Sequence, residues 1–393
     1  MRGAEPGLGT IAYIQKDGLW TRDLPFGTPR RLVEGANLQA PRFSPSGKWI
    51  SYFGNETLQT ISHAGGAPSK LCRASQAQWV PGRDDLLAQY EEGLKLFTAS
   101  AGFRAPTREI PRGELPAIFS ANGSEMVYGD TVPGSDTSLG MPDRTGRLCS
   151  LALSSETGSA KPLFSKHLSG AVPAAWIDDG QILFWEDPYF SGSLAEDGLA
   201  LFQTSGAGSS PKSMDLTSLI YGDWLTLSPA RDRLAIVTGG GRYSWAQKRI
   251  AVIDLKSGQI SYATGEETAA VFPSWSPRGD RIAYSAAPGP PGSEQIGGGD
   301  EAKSLLAARR IWVGSRQLTH DSRYRDEKPM WSDDGRHTLF GRIDSADRLT
   351  LWLTAMDSAS PVQVAGPLGA GGPDASFGNY GYIDWRALMD WRR

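Results

Sequence analysis

From Phe272 to Ser285 the chain reads FPSWSPRGDRIAYS: an apolar run, a polar turn on Ser-Pro-x-Gly, and a second apolar run. The same order of hydrophobic and polar positions returns in KPMWSDDGRHTLFG, Lys328 to Gly341. It also occurs in APRFSPSGKWISYF (Ala40 to Phe53), AQWVPGRDDLLAQY (Ala77 to Tyr90), PAIFSANGSEMVYG (Pro116 to Gly129) and PAAWIDDGQILFWE (Pro173 to Glu186). A weaker copy, WLTLSPARDRLAIV (Trp224 to Val237), has Leu227 in place of the aromatic residue and lacks the turn glycine. Short apolar runs on either side of such a turn predict β-hairpins, because Ser-Pro or Asp-Asp presets the turn and Gly supplies its left-handed residue.

With the aromatic position as a ruler, Phe43, Trp79, Phe119, Trp176, Leu227, Trp275 and Trp331 are separated, by subtraction of their numbers, by 36, 40, 57, 51, 48 and 56 residues. Periods of this size point to propeller blades carrying insertions. After each hairpin come two more candidate strands, clearest in KRIAVIDLKSGQISYAT, Lys248 to Thr264, where a Lys-Ser-Gly turn separates two alternating runs. Near the N-terminus TIAYIQ, GLWTRDL and PRRLVEG resemble the last three strands of a blade without its first. At the C-terminus NYGYIDWRALMDW, Asn379 to Trp391, sets Trp385 where an eighth aromatic position is due. The expectation is an all-β chain, 1–393, forming a single β-propeller of eight four-stranded blades. Strands within 10–35 and 379–391 make the closing blade, so that no inner edge stays unpaired. Seven blades, with the C-terminus docked on the ring, is the alternative.

Composition agrees with many short strands joined by turns: 47 Gly and 26 Pro in 393 residues, 39% hydrophobic and 21% charged. The formal charge is −3 and no block of lysine or arginine stands out, which excludes the electrostatic footprint of a nucleic-acid binder. Two cysteines, Cys72 and Cys149, are too few for a disulfide framework and have no metal-ligand spacing, so both are expected free. No signal-peptide core and no membrane-span-length apolar run occurs, and a soluble monomer is expected. The compartment stays open, since a start site placed too late would hide an export signal.

The pattern Pro-x-Trp-Ser-Pro-x-Gly-x-x-Ile-x-Tyr, as in PSWSPRGDRIAY, resembles the repeat of the TolB-like family of bacterial β-propellers, akin to WD-repeat proteins and to the propellers of prolyl-oligopeptidase-type enzymes. The resemblance implies the fold, and a periplasmic or other extracytoplasmic setting if the start is truncated. TolB itself carries an α/β domain before its propeller, and strands that begin near Ile11 leave no room for one, so TolB's own partners are not carried over.

Loop length marks the working face. The long connections Gly129 to Arg147, Glu186 to Gly198, Thr238 to Lys248 and Ala286 to Arg310 all follow second strands and are expected on one face, with the inter-blade link Thr319 to Pro329. They carry Asp187, Tyr189, Phe190, Arg242, Tyr243, Trp245, His320, Arg323, Tyr324, Arg325, Asp326 and Glu327. Aromatic faces and charged tips suit a protein, peptide or glycan ligand. The competing reading is that Arg323, Arg325, Asp326 and Glu327 pair with one another and cap blade edges. His63, His167, His320 and His337 show no metal spacing, no Gly-x-Ser-x-Gly elbow occurs, and GPPGSEQIGGGDEAKS lacks a phosphate-loop ending and reads as a mobile insertion. The expected function is therefore a non-enzymatic binding or scaffold propeller without cofactor, metal or catalytic residues. The alternative is a lyase or hydrolase acting on a saccharide at the same face.

Overall fold

The computed structural model describes residues 7–135, 142–153, 158–177, 180–206, 208–239, 241–358, 360–369 and 376–393. The described residues form eight four-stranded antiparallel sheets, a β-propeller with one sheet per blade. All seven ruler residues occupy the same place, the last residue of a blade's first strand. Those strands are Leu38–Phe43, Gln76–Trp79, Gly113–Phe119, Ser169–Trp176, Leu225–Leu227, Thr268–Trp275 and Arg325–Trp331, and they open blades 1 to 7 in that order. The remaining sheet, blade 8, joins Arg30–Glu34, Gly18–Asp23 and Thr10–Gln15 to Met389–Arg392 from the other end of the chain.

The C-terminal strand is shorter and later than the sequence suggests. Trp391, not Trp385, lies opposite Ile11 in the pairing, and its indole donates to the Leu8 carbonyl at 2.9 Å. Trp385 instead sits in a 3-10 turn, fully buried. Its ring lies where a Cβ on Gly341 would come within 2.3 Å, so only glycine fits at 341.

The repeated turn has a local cause. Ser276 Oγ accepts from the Arg281 N–H at 3.1 Å and bonds Asp280 at 2.6 Å, and Ser228 does the same with Arg233 and Asp232. Gly279 takes the left-handed residue of the turn at φ +69°. In the copy without the glycine Arg231 is forced there at φ +56°.

The chain divides into two compact units, Met1–Phe43 with Tyr52–Asn55 and Asp223–Arg393, and Ser44–Ser51 with Glu56–Gly222. In the first unit, the Trp275 indole donates to the Thr226 carbonyl of blade 5 at 3.1 Å, and the Trp331 indole to Ser274 of blade 6 at 3.0 Å. Arg233 covers the Trp275 ring at 4.8 Å and Arg281 covers Trp331 at 5.0 Å. In the second unit the core between blades 2 and 3 is built from Leu87, Leu94, Ile110, Met126, Tyr128, Cys149 and Leu151.

Cys72 and Cys149 are both free. Burial, helped by the neighbouring Asp130 charge, pushes the Cys149 thiol up to about 11, and burial also raises Cys72. Without reductant, thiol titration in denaturant is expected to find both cysteines. In the native state at pH 7.5 alkylation should spare Cys149, which is 2% exposed. Rapid native labelling of Cys149 would contradict this packing.

Candidate functional site

In the first unit, a bulge on the opening strand of blade 7 re-aims its side chains: the pairing register shifts between Glu327 and Met330, and Lys328 has φ +54°. Arg325, Asp326 and Glu327 are consequently all buried, where simple alternation would expose one of the three. Glu327 accepts from Arg309, from Arg325 Nε at 2.8 Å and from the Trp385 indole at 3.0 Å. Burial alone would raise its pKa, but the Arg325 and Arg309 charges hold it below the usual carboxylate range. Burial pushes Arg309 down to about 10 against the pull of Glu327, so it stays charged at neutral pH. Asp326 takes a two-pronged bond from Arg342, at 2.6 and 2.9 Å.

The same guanidinium groups fix the C-terminal segment. Arg309 and Arg325 both donate to the Gly381 carbonyl, at 3.2 and 3.0 Å, and Arg325 also reaches the Ser376 carbonyl at 2.8 Å. A further donation, from Arg309 to the Ser244 carbonyl at 2.8 Å, ties in the loop that carries Arg242, Tyr243 and Trp245. Trp245 is buried, stacked on Tyr243 at 4.8 Å and tilted against Phe377 at 5.7 Å. Arg242 and Tyr243 meet Tyr380, at 5.3 and 5.9 Å between groups. A second polar cluster is formed by Asp223, which accepts from Lys328 Nζ and from the Tyr382 hydroxyl, each at 3.0 Å.

What remains open is a cleft of about 380 Å³ in front of this wall. Arg323, Tyr324 and Arg325 line it as the sequence pattern places them together, with Lys303, Asp344 and Phe377 as additional lining. Arg323 is 76% exposed and paired with Asp321 at 2.7 Å. Tyr324 is held from behind by the Arg342 guanidinium at 4.4 Å. Partial burial acts to raise the pKa of Asp344, yet hydrogen bonds from the Arg348 side chain and from the Arg348 and Ala346 N–H groups hold it low.

Lys303 was hidden by the glycine-rich insertion, which carries an ordered helix, Gly299–Ala307, rather than a mobile loop. Asp300 and Glu301 favour its first turn, and Ala302 and Leu306, four residues apart, bury one face against Trp245. His320 lies apart from the cleft. It lines a separate cavity of about 490 Å³ with Arg316 and Met356.

Asp187, Tyr189 and Phe190 belong to the second unit, at the end of the second strand of blade 4. There Asp187 accepts from the Ser191 N–H at 3.0 Å, Phe190 lies under Arg144 at 4.9 Å, and Tyr189 is 63% exposed. No group of three or more His, Cys, Asp or Glu placed to hold a metal ion occurs among the described residues. Nor is any helix among them long and apolar enough to cross a membrane.

The sheets and their repeat thus define a β-propeller of eight blades among the described residues, and several solved structures are similar to the chain. A eukaryotic initiation factor is similar over 93% of this chain and 89% of its own, at 11% identity and a TM-score of 0.56. A TolB protein of Agrobacterium tumefaciens is similar over 91% and 87%, at 15% identity and a TM-score of 0.38. An oligogalacturonate lyase in complex with manganese is similar over 90% and 96%, at 13% identity and a TM-score of 0.48. No protein-family model matches the chain, and no curated protein matches it.

Proposed function

We propose that the protein is a non-enzymatic binding propeller that holds an extended peptide segment of a partner protein in the cleft of its first unit. The observation that carries this reading is the lining. Exposed charges of both signs, Lys303, Arg323 and Asp347, surround an aromatic and aliphatic floor of Tyr324, Phe377, Leu306 and Ile343. Backbone and side chains of a peptide offer matching polar and apolar groups in that alternation, and the volume falls in the range of ordinary ligand pockets. The saccharide lyase or hydrolase alternative calls for a carboxyl group tuned towards neutrality. Within this cleft Asp344 is driven the other way, whereas burial raises Asp187, which lies in the second unit.

The test compares wild type with Arg323→Ala and Tyr324→Ala on peptide and glycan arrays, with melting temperatures measured alongside. Peptide binding should weaken by about tenfold in each, the scale of a modest interface anchor, while the melting temperature of Arg323→Ala stays put because Arg323 is exposed. Trp245→Ala serves as the contrast, since it removes a buried ring and should melt lower. Turnover of a saccharide that disappears in the cleft variants, or peptide binding that they leave intact, would overturn the proposal.

A further inference from the structure

We propose that the groove between the outer strand of blade 2 and blade 3, in the second unit, is a binding site for the carboxylate or phosphate group of a small ligand. The cavity measures about 400 Å³ and is lined by Arg108, Arg112, Tyr128, Asp130, Arg147 and Leu151 among others. The sheet register builds it. Asp130 lies directly across from Arg147 on neighbouring strands, and Tyr128 and Leu151, two and four residues along those strands, share the same face. Arg108 and Arg112 reach the groove from the start and just past the end of the outer strand Arg108–Pro111.

Charge is out of balance there. Asp130, with a side chain only 4% exposed, is shared between Arg147 and Arg112, the latter at 3.3 Å. Arg108 is held by main-chain carbonyls, Ala152 at 3.0 Å and Gly158. Glu109 also lines the cavity, but Lys95 sits 3.6 Å from it. Among the described residues Arg147 and Arg112 thus share one carboxylate, Asp130, and their planar forks match the geometry of an oxyanion.

A second, independent observation is the Nε of Arg147, which is buried and has no hydrogen-bond partner among the described residues. Buried donors are rarely left so, and an anionic oxygen in the groove supplies the acceptor. Ile110, Leu151 and Tyr128 form an apolar floor, each at most 5% exposed, which lowers the local dielectric and strengthens the attraction. Burial pushes the Tyr128 phenol up to about 12, so it stays a protonated donor.

The experiment is calorimetric titration of the full chain at low ionic strength with inorganic phosphate and, separately, glutarate, each against chloride of equal ionic strength. At least one probe should saturate and lose affinity as salt is added. Saturation by phosphate alone assigns a phosphorylated ligand, and saturation by glutarate alone assigns a carboxylate. In Arg112→Gln, whose parent side chain is 53% exposed, affinity should fall by about tenfold with an unchanged melting temperature. Glu109→Gln should bind more tightly because a negative charge leaves the rim. Failure of both probes to saturate at millimolar concentration overturns the proposal, as does a normally melting Arg112→Gln protein that binds like wild type. This outcome is independent of the peptide cleft, whose residues lie in the other unit.

Discussion

The Glu327→Gln variant should melt roughly 6–10 °C below the wild type, about 3–5 kcal/mol at about 2 °C per kcal/mol. Glu327 and Arg309 are both 0% exposed at their side chains, and Arg325 is 8% exposed. Neutralising the carboxylate leaves two neighbouring guanidinium groups buried without their counter-ion, and water cannot reach them to compensate. The pH dependence checks the cause. The folded-state pKa of Glu327 is depressed, so its contribution is complete above the unfolded carboxyl value of about 4.3 and is lost as pH falls through the lower folded value. Melting temperatures of wild type and variant, measured by calorimetry from neutral pH downward, should therefore converge below about pH 4.3. A gap that stays constant through that range would assign the loss to packing instead of charge. As a control, Glu56→Gln breaks a pair whose partners are 74% and 82% exposed and should leave the melting temperature unaltered.

Truncation after Asn379 is expected to abolish cooperative unfolding altogether. It removes the strand Met389–Arg392 and so strips blade 8 of the partner that covers Thr10–Tyr13. It also removes Tyr382, Trp385 and Trp391, all buried, and each such aromatic loss alone costs about 3–5 kcal/mol. Gly381 leaves with them, taking the carbonyl that Arg309 and Arg325 share. An exposed edge strand above such a hole should aggregate. Size-exclusion chromatography with calorimetry decides the matter: a monodisperse truncated protein with a sharp transition would mean that the C-terminal strand is dispensable.

The blades were legible because their signal is local. A turn serine, a left-handed glycine and an apolar residue on each side lie within one phrase, and all seven aromatic or leucine ruler positions fall at one place in the blade, the end of its first strand. The eighth failed by six residues because Trp385 and Trp391 are both aromatic and only the pairing with Ile11 tells them apart. The cleft was half legible for a related reason. Arg323 and Tyr324 sit on a link between blades, whereas the environment of Arg325, Asp326 and Glu327 is set by Arg309, Arg342 and Gly381, 18, 16 and 56 residues away and invisible to spacing. Trp245 looked like a loop aromatic and is core, since the helix Gly299–Ala307 closes over it.

The indole bonds between blades 5, 6 and 7 have a bearing on how such a chain could have grown. Trp275 and Trp331 each donate to a main-chain carbonyl of the preceding blade, Thr226 and Ser274. Every residue type supplies that acceptor, so the coupling asks for a shape and not for a particular neighbour. A gene segment encoding one blade can therefore be duplicated, exchanged or left to drift without its neighbour having to change in step, as long as it keeps the tryptophan that reaches backwards and the arginine, Arg233 or Arg281, that covers the next one.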